Sequence, residues 1–469
     1  MPASKRQERS FIRREGEIIR DGSSPADRDA RRFCLEALDH ALGAVDPYRC
    51  VMSRMRLIRK QLVVDHIRIN LSDLRSVFVL AVGKASASMM RAALQCLGDI
   101  PIRGILIAPS GQELPTFNDR IESFLSGHPI PTQAGVRASH RVVEAVSALR
   151  EDDLLLCLIS GGASATLPAP VEGITLQDKI MITNQLVRSE ANIHEINTVR
   201  RHISRLKGGR LVELCRGSRV ISLIISDVPG NYLPDIGSGL TAEDPTSYHD
   251  AIQVLRHHHL WQHTPSRVKE HLHKGVRGAI PETPKPGSPS FQRVDNIIIA
   301  DNRTACTAAQ RALRKRNLRT NILTTSVEMQ AQDLGQLLAS VAYATRLNVP
   351  TLKHSRAMIV GGECVVRVTG KGKGGRNQEA ALSAVEGIRG LDGTVIATMG
   401  TDGIDGNTNV AGAIVDGNTA SRASRRRLDP SDYLTRNNSG SFFRLLGDCL
   451  VTGPTGTNVA DIYLLISLQ

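Results

Sequence analysis

Six short apolar runs, each closing on a small or acidic residue and followed by a helical pattern, constrain this chain most: Val77–Gly83, Leu154–Ser160, Val220–Asp227, Asn296–Ala300, Ala357–Gly362 and Thr394–Gly400. Runs this short and this continuously apolar read as parallel strands covered on both faces. Their alternation with helices such as Ala85–Leu97 and Thr175–Arg188 predicts a doubly wound α/β architecture. With 469 residues the chain exceeds one ordinary domain, so two α/β domains are expected. PETPKPGSP, residues 281–289, carries four prolines and no period, and reads as a linker. The expected division is a mixed-charge tail over 1–33, a Rossmann-like domain over 34–280, a linker over 281–290 and a smaller α/β domain over 291–469.

In such sheets ligands sit at the carboxyl ends of strands, where the glycine-rich turns fall. The most suggestive is Val365–Leu382, read as a strand, a basic glycine-rich turn and a helix. Gly370, Gly372, Gly374 and Gly375 would let backbone approach a ligand, with Lys371, Lys373 and Arg376 favouring an anion. Gly370, Gly372 and Gly375 formally satisfy a dinucleotide fingerprint with Asp392 as the ribose acid, yet Arg376-Asn377 follow where a P-loop has Lys-Ser/Thr. A tight turn with a solvated basic face is the plainer alternative.

Five further turns share this chemistry. AVGKAS sets Lys84 after a strand, within reach of a phosphate or carboxylate. Ser160, Gly161, Gly162 and Ser164 form a candidate anion nest, and Lys207 with Arg210 brackets a Gly-Gly pair. Asp227 ends one strand; Asp402 and Asp405 follow another. Carboxylates there suit Mg²⁺, although at least one of the three is expected to serve only its turn.

Composition narrows the partners. A net charge of +13 would suit nucleic acid or acidic metabolites, but 3% aromatics leave few stacking platforms. Residues 1–33 hold nine Lys/Arg and six Asp/Glu, and with Arg425–Arg427 they read as solvated surface rather than a nucleic-acid module. No apolar run reaches 18 residues, so no membrane span is expected. Eight scattered cysteines without a CxxC pair point to a reducing compartment, and the cytoplasm is the expected location. His257–His259 lacks matching ligand spacing and reads as a polar helix surface.

Eight segments taken together resemble a family: AVGKAS, SGGASA, VRRHISRLKGGRL, SDVPGN, GSGLTAEDPT, GKGKGGRNQE, GTDGIDG and VTGPTGTNVAD. In this order they are similar to the class II glycerate 2-kinases, whose carboxyl-terminal half is the MOFRL domain, here about 355–469. The resemblance implies a two-domain α/β enzyme with its active site in the cleft between the domains. It would move the γ-phosphoryl of ATP, with Mg²⁺, to the 2-hydroxyl of D-glycerate. The suspected active-site cations become Lys84 and Arg376. Asp227 and Asp402 become candidates for catalysis or metal, and Asp405 for metal. Ser160, Gly161, Gly162, Ser164, Lys207, Arg210, Gly372, Gly374, Gly375 and Asn377 become candidates for holding substrate or nucleotide. A homodimer is left open as the assembly.

Departures from the pattern fall at Asn231, Leu240, Asn407, Asn409 and Asn438, and three of them remove a carboxylate. A catalytically impaired, anion-sensing homologue is therefore one alternative. A nicotinamide-dependent hydroxypyruvate reductase is the other, with His128 its nearest catalytic candidate although Gly-His-Pro reads better as a turn.

Overall fold

The computed structural model describes residues 10–98, 100–117, 119–347 and 356–468. The chain divides into two compact units. One, the inserted unit, spans Pro47–Ile299; the other, the flanking unit, combines the chain up to Asp46 with Ala300 onward.

The inserted unit begins with a small antiparallel sheet, β1 (Met55–Ile58), β2 (Gln61–Val64) and β3 (Ile67–Asn70). Its main sheet comprises β4 (Ser76–Val82), β5 (Ile102–Pro109), β6 (Ile121–Ser126), β7 (Asp153–Ile159), β8 (Arg219–Ile225) and β9 (Val294–Ala300), in the order β6-β5-β4-β7-β8-β9. β4, β5, β6, β7 and β8 are parallel, and β4, β7 and β8 are almost wholly buried, as continuous apolar runs require. Strand order reverses at β4/β7, the position where an open α/β sheet makes its ligand crevice. A second apolar cluster joins the helices Leu176–Arg188, Ile193–His202, Tyr248–His257 and Ser266–Val276. Three of these start with a capping box, on Thr175/Asp178, Asn192/Glu195 and Ser247/Asp250.

The flanking unit has a mixed sheet of β10 (Thr320–Val327), β11 (Ala357–Gly362), β12 (Thr394–Gly400), β13 (Gly412–Asp416), β14 (Cys449–Leu450) and β15 (Asp461–Ser467), in the order β10-β11-β15-β12-β13-β14. The reading of Ala357–Gly362 and Thr394–Gly400 as parallel strands holds only where β11 meets β10. β15 enters antiparallel between β11 and β12, and β13 pairs antiparallel with β12. A buried apolar run reports two covered faces, not the direction of its neighbours.

Three boundaries differ from expectation. The described part of the 1–33 tail is not solvated surface: Ile12, Ile18, Asp27, Ala30 and Arg31 are buried, the last three in the Pro25–Ala44 helix. Inside it Arg31, with no exposure, meets Asp416 at 2.6 Å and Asp448 at 3.0 Å. Residues 281–290 do not separate the units, because polar partners fix them within the inserted unit. Glu282 accepts from His202, Thr283 donates to Asp244, and the Asp244 amide donates to the Pro284 carbonyl. The chain instead changes unit near Asp46 and Ile299. No strand precedes the 370–375 turn: residues 366–369 are extended loop, with Val368 largely exposed.

Candidate active site

At the β4/β7 switch point two turns are laced together. Gly83 has φ +109°, and a Cβ there would lie 2.4 Å from the Ser160 carbonyl, so only glycine fits. The Lys84 amide donates to the Gly161 carbonyl at 2.8 Å, and the Ala85 amide donates to Ser160 Oγ at 3.0 Å. Ser160 is thereby a buried brace rather than a free ligand group. Gly162, at φ +85°, leaves its Cβ direction open beneath two side chains. A methyl there would sit 2.9 Å from the His128 ring and 3.4 Å from Lys84 Cγ. Lys84 and the His128 ring thus flank the same face of Gly162.

Below this surface runs a buried polar network. Ser164 Oγ and Ser238 Oγ are 2.8 Å apart, Ser238 donates to Asn197, and Asn197 donates to Asp235 at 3.0 Å. Arg201 Nε lies 3.1 Å from Asp244. Lys207 is not a ligand cation: it is 1% exposed and its ammonium bonds the Ser164 and Leu167 carbonyls, both at 3.0 Å. Burial, aided by neighbouring Arg200, pushes its pKa down to about 7. Arg210 is likewise engaged, donating to Tyr248 Oη and the Pro281 carbonyl.

The cation missed in the sequence is Arg200. It lies close enough to depress Lys207, and burial pushes its own pKa down to about 10. No carboxylate among the described residues forms an ion pair with it. Asp227, half-buried, follows β8 beside these turns. Asn231 takes a left-handed φ of +58°, a conformation asparagine tolerates well.

In the flanking unit the glycine-rich turn is occupied by protein. Asn437 Oδ1 accepts from the Thr369 and Gly370 amides, both at 2.8 Å. Asn438 Oδ1 accepts from the Lys373 amide, Asn407 Oδ1 from that of Gly374, and the Arg436 carbonyl from that of Gly372. A Cβ on Gly372 would strike Asn438, one on Gly374 Ser439, and one on Gly375 Asp405. These glycines admit the chain's own backbone, and the Gly370, Gly372, Lys373 and Gly374 amides, expected for phosphate, are already paired.

Asp405 is not placed for metal either. It is buried and accepts from the backbone and side-chain amides of both Asn377 and Gln378, capping the Arg376–Ala384 helix. Burial, against those donors, pushes its pKa up to about 6. Asn377 is itself fully buried and cannot meet a nucleotide.

Three carboxylates, which the sequence disclosed only in part, share this end of the sheet. Asp461 opens β15 opposite Gly362 of β11 and Gly400 of β12, so Glu363 and Asp402, just beyond those glycines, fall at the same sheet edge. Arg376 pairs with Asp461 and reaches Glu363 at 2.7 Å. Burial would lower its pKa, but Asp461 and Glu363 prevail and hold it protonated.

Residues 33–273 match a domain of unknown function (DUF4147), and residues 356–461 match the MOFRL family. The glycerate 2-kinase of Pyrococcus horikoshii is 37% identical over 93% of this chain and 97% of its own. This chain belongs to the glycerate kinase family. A crystal structure of glycerate kinase from Thermotoga maritima superposes with a TM-score of 0.80 at 34% identity, covering 93% of this chain and 99% of that one. A further member, from Agrobacterium vitis, is named a putative hydroxypyruvate reductase; it is 35% identical over 82% of this chain and 85% of its own. Within the family's shared segments, this chain's Asn407 and Asn438 keep the turn closed through their side-chain carbonyls.

Proposed function

We propose that this glycerate kinase family member is an ATP:D-glycerate 2-phosphotransferase. The observation that carries the reading is that Lys84 and His128 both flank Gly162 at the strand-order switch point, while Arg200 lies near Lys207 beneath the Ser164 turn. Phosphoryl transfer needs positioning and charge neutralisation more than covalent help. Lys84 and Arg200 neutralise the glycerate carboxylate and the transferring phosphoryl group. Asp227 takes the proton of the 2-hydroxyl as its oxygen bonds the γ-phosphorus and the bond to the β,γ-bridging oxygen breaks, releasing ADP.

Mg²⁺ in the flanking unit would be held by Asp402 and Glu363, which follow β12 and β11 at the same end of the sheet, whereas Asp405 is saturated by amide donors. When bound, the ion would offset the charge of the nucleotide phosphates. Arg376 acts as a positioning residue there, holding Asp461 and Glu363 in place. No helix among the described residues is long and apolar enough to cross a membrane, and Cys34, Cys50, Cys96, Cys157, Cys215, Cys306, Cys364 and Cys449 are free thiols, which supports a cytoplasmic setting.

The test is incubation with ATP, Mg²⁺ and D-glycerate, coupled to enolase, which accepts only the 2-phosphate. Signal requiring all three components supports the reading; silence from folded protein defeats it. The name of the Agrobacterium relative favours a second reading, reduction of hydroxypyruvate with a nicotinamide cofactor. Against it, the only formal fingerprint, at 370–375, has no preceding strand, and its Gly370, Gly372 and Gly374 amides are paired. Loss of reduced-nicotinamide absorbance with hydroxypyruvate would revive it.

A further inference from the structure

The histidine run set aside in the sequence has another aspect in the fold. The Tyr248–His257 helix ends within it: His258 is the C-cap and His259 turns left-handed at φ +57°. His257, the last helical residue, and His258, just past it, lie beside Glu195 from the first turn of the Ile193–His202 helix. One donor atom from each of the three residues lies within 4.8 Å of the other two.

His258 is oriented as a metal-binding imidazole would be. Its Nδ1 lies 3.2 Å from the Ser189 carbonyl, which can only accept, so Nδ1 carries the proton. Nε2, shielded from solvent, then faces Glu195 Oε2 at 3.1 Å. A ring nitrogen and a carboxylate oxygen at this spacing hold a cation between them, either a proton on Nε2 or a metal ion in its place.

The dimensions agree. Tetrahedral zinc with bonds of about 2.0–2.2 Å holds its donor atoms about 3.3–3.6 Å apart. His258 and Glu195 already approach that spacing, and exposed His257 needs only a side-chain rotation to complete it. Glu195 is braced by the Asn192 amide, which donates to its Oε2 at 2.9 Å. Two helices, Leu176–Arg188 with C-cap Ser189 and Tyr248–His257 with C-cap His258, end here, and helix carboxyl termini favour positive charge.

We propose that Glu195, His257 and His258 bind one first-row divalent transition-metal ion of the zinc class, with a fourth position left to water. Two nitrogens and one carboxylate select such an ion over Mg²⁺, which prefers oxygen alone. The ion would tie the Tyr248–His257 helix to the Ile193–His202 helix, the one that carries Asn197, Arg200 and Arg201.

Chelator-stripped full-length protein titrated with Co²⁺ should take up one equivalent with the visible absorption of a four- or five-coordinate nitrogen–oxygen site, displaced by Zn²⁺. His257→Ala and His258→Gln should each weaken uptake at least about 10-fold, and Zn²⁺ should raise the melting temperature of the unaltered protein but not of His257→Ala. Glu195→Gln keeps a side chain able to cap the helix and should weaken binding similarly, while His249→Ala should not. His257 is exposed, so its variant tests the proposal even if His258→Gln folds poorly. Equal uptake by the unaltered protein and His257→Ala, or no absorption band at one equivalent, overturns the proposal.

Discussion

The Arg376 guanidinium meets the Asp461 carboxylate edge to edge, Nη2 lying 3.0 Å from Oδ1 while Nε holds Oδ2. Asp461 also accepts from Tyr463 Oη and is fully buried. Removing the arginine strands a buried carboxylate, so Arg376→Ala should cost about 3–5 kcal/mol of stability as well as turnover. Arg376→Lys keeps the charge but loses the fork, and should melt between the two. Denaturant melts of the three proteins check this order; an unchanged midpoint for Arg376→Ala would contradict the pairing.

Lys84 is predicted to act on turnover alone. Lys84→Ala should lower kcat about 100- to 1,000-fold with the melting temperature unchanged. Gly162→Ala should do comparable harm, because its methyl would intrude on His128 and Lys84 at φ +85°. Steady-state kinetics beside thermal melts separate these effects.

Lys207 gives a signature in pH. Its folded pKa, pushed down to about 7, lies below its ordinary value of 10.5. Between these values the unfolded chain binds a proton that the folded one does not, so stability rises with pH across that window and is lost as pH falls toward 7. The contribution is at most about 1.4 kcal/mol per pH unit. Lys207→Met should flatten the rise in urea midpoint between pH 7.5 and 9.5; an unaltered slope would show that another group titrates.

The 369–378 turn should answer to packing rather than to nucleotide. Asn437→Ala removes the acceptor for the Thr369 and Gly370 amides and should cost about 1–3 kcal/mol. Gly374→Ala, whose methyl would sit 2.2 Å from Ser439 Oγ, should destabilise by a similar amount. In both variants KM for ATP should change less than twofold; a large rise in KM with an unchanged melt would return the turn to a binding role.

Sequence and structure agree where local chemistry decides. The runs at β4, β7, β8, β11 and β12 are strands because burial on both faces demands continuous apolar side chains, and Thr175, Asn192 and Ser247 start helices through their own hydroxyl or amide groups. They part where the partner is distant in the chain. Nothing near Gly374 announces that Asn407 will take its amide, nor near Arg31 that Asp416 and Asp448 await it. Arg200 was overlooked because its neighbours Arg201, Lys207 and Arg210 look alike in sequence. Only the fold shows that Arg201 has Asp244, Lys207 has two carbonyls and Arg210 has Tyr248. The second sheet's direction was illegible because β15 comes from the end of the chain to pass between β11 and β12.

The interrupted course of the flanking unit sets a timetable for synthesis. Arg31 must wait for Asp416, 385 residues later, which at about 5–20 residues per second is roughly 20–80 s on the ribosome. Throughout that interval the apolar face of the Pro25–Ala44 helix lacks the rest of its unit, while residues 47–299 can already complete their own core. The nascent chain therefore emerges with a helix that chaperones, or a neighbouring nascent chain, can reach before its own partners are made.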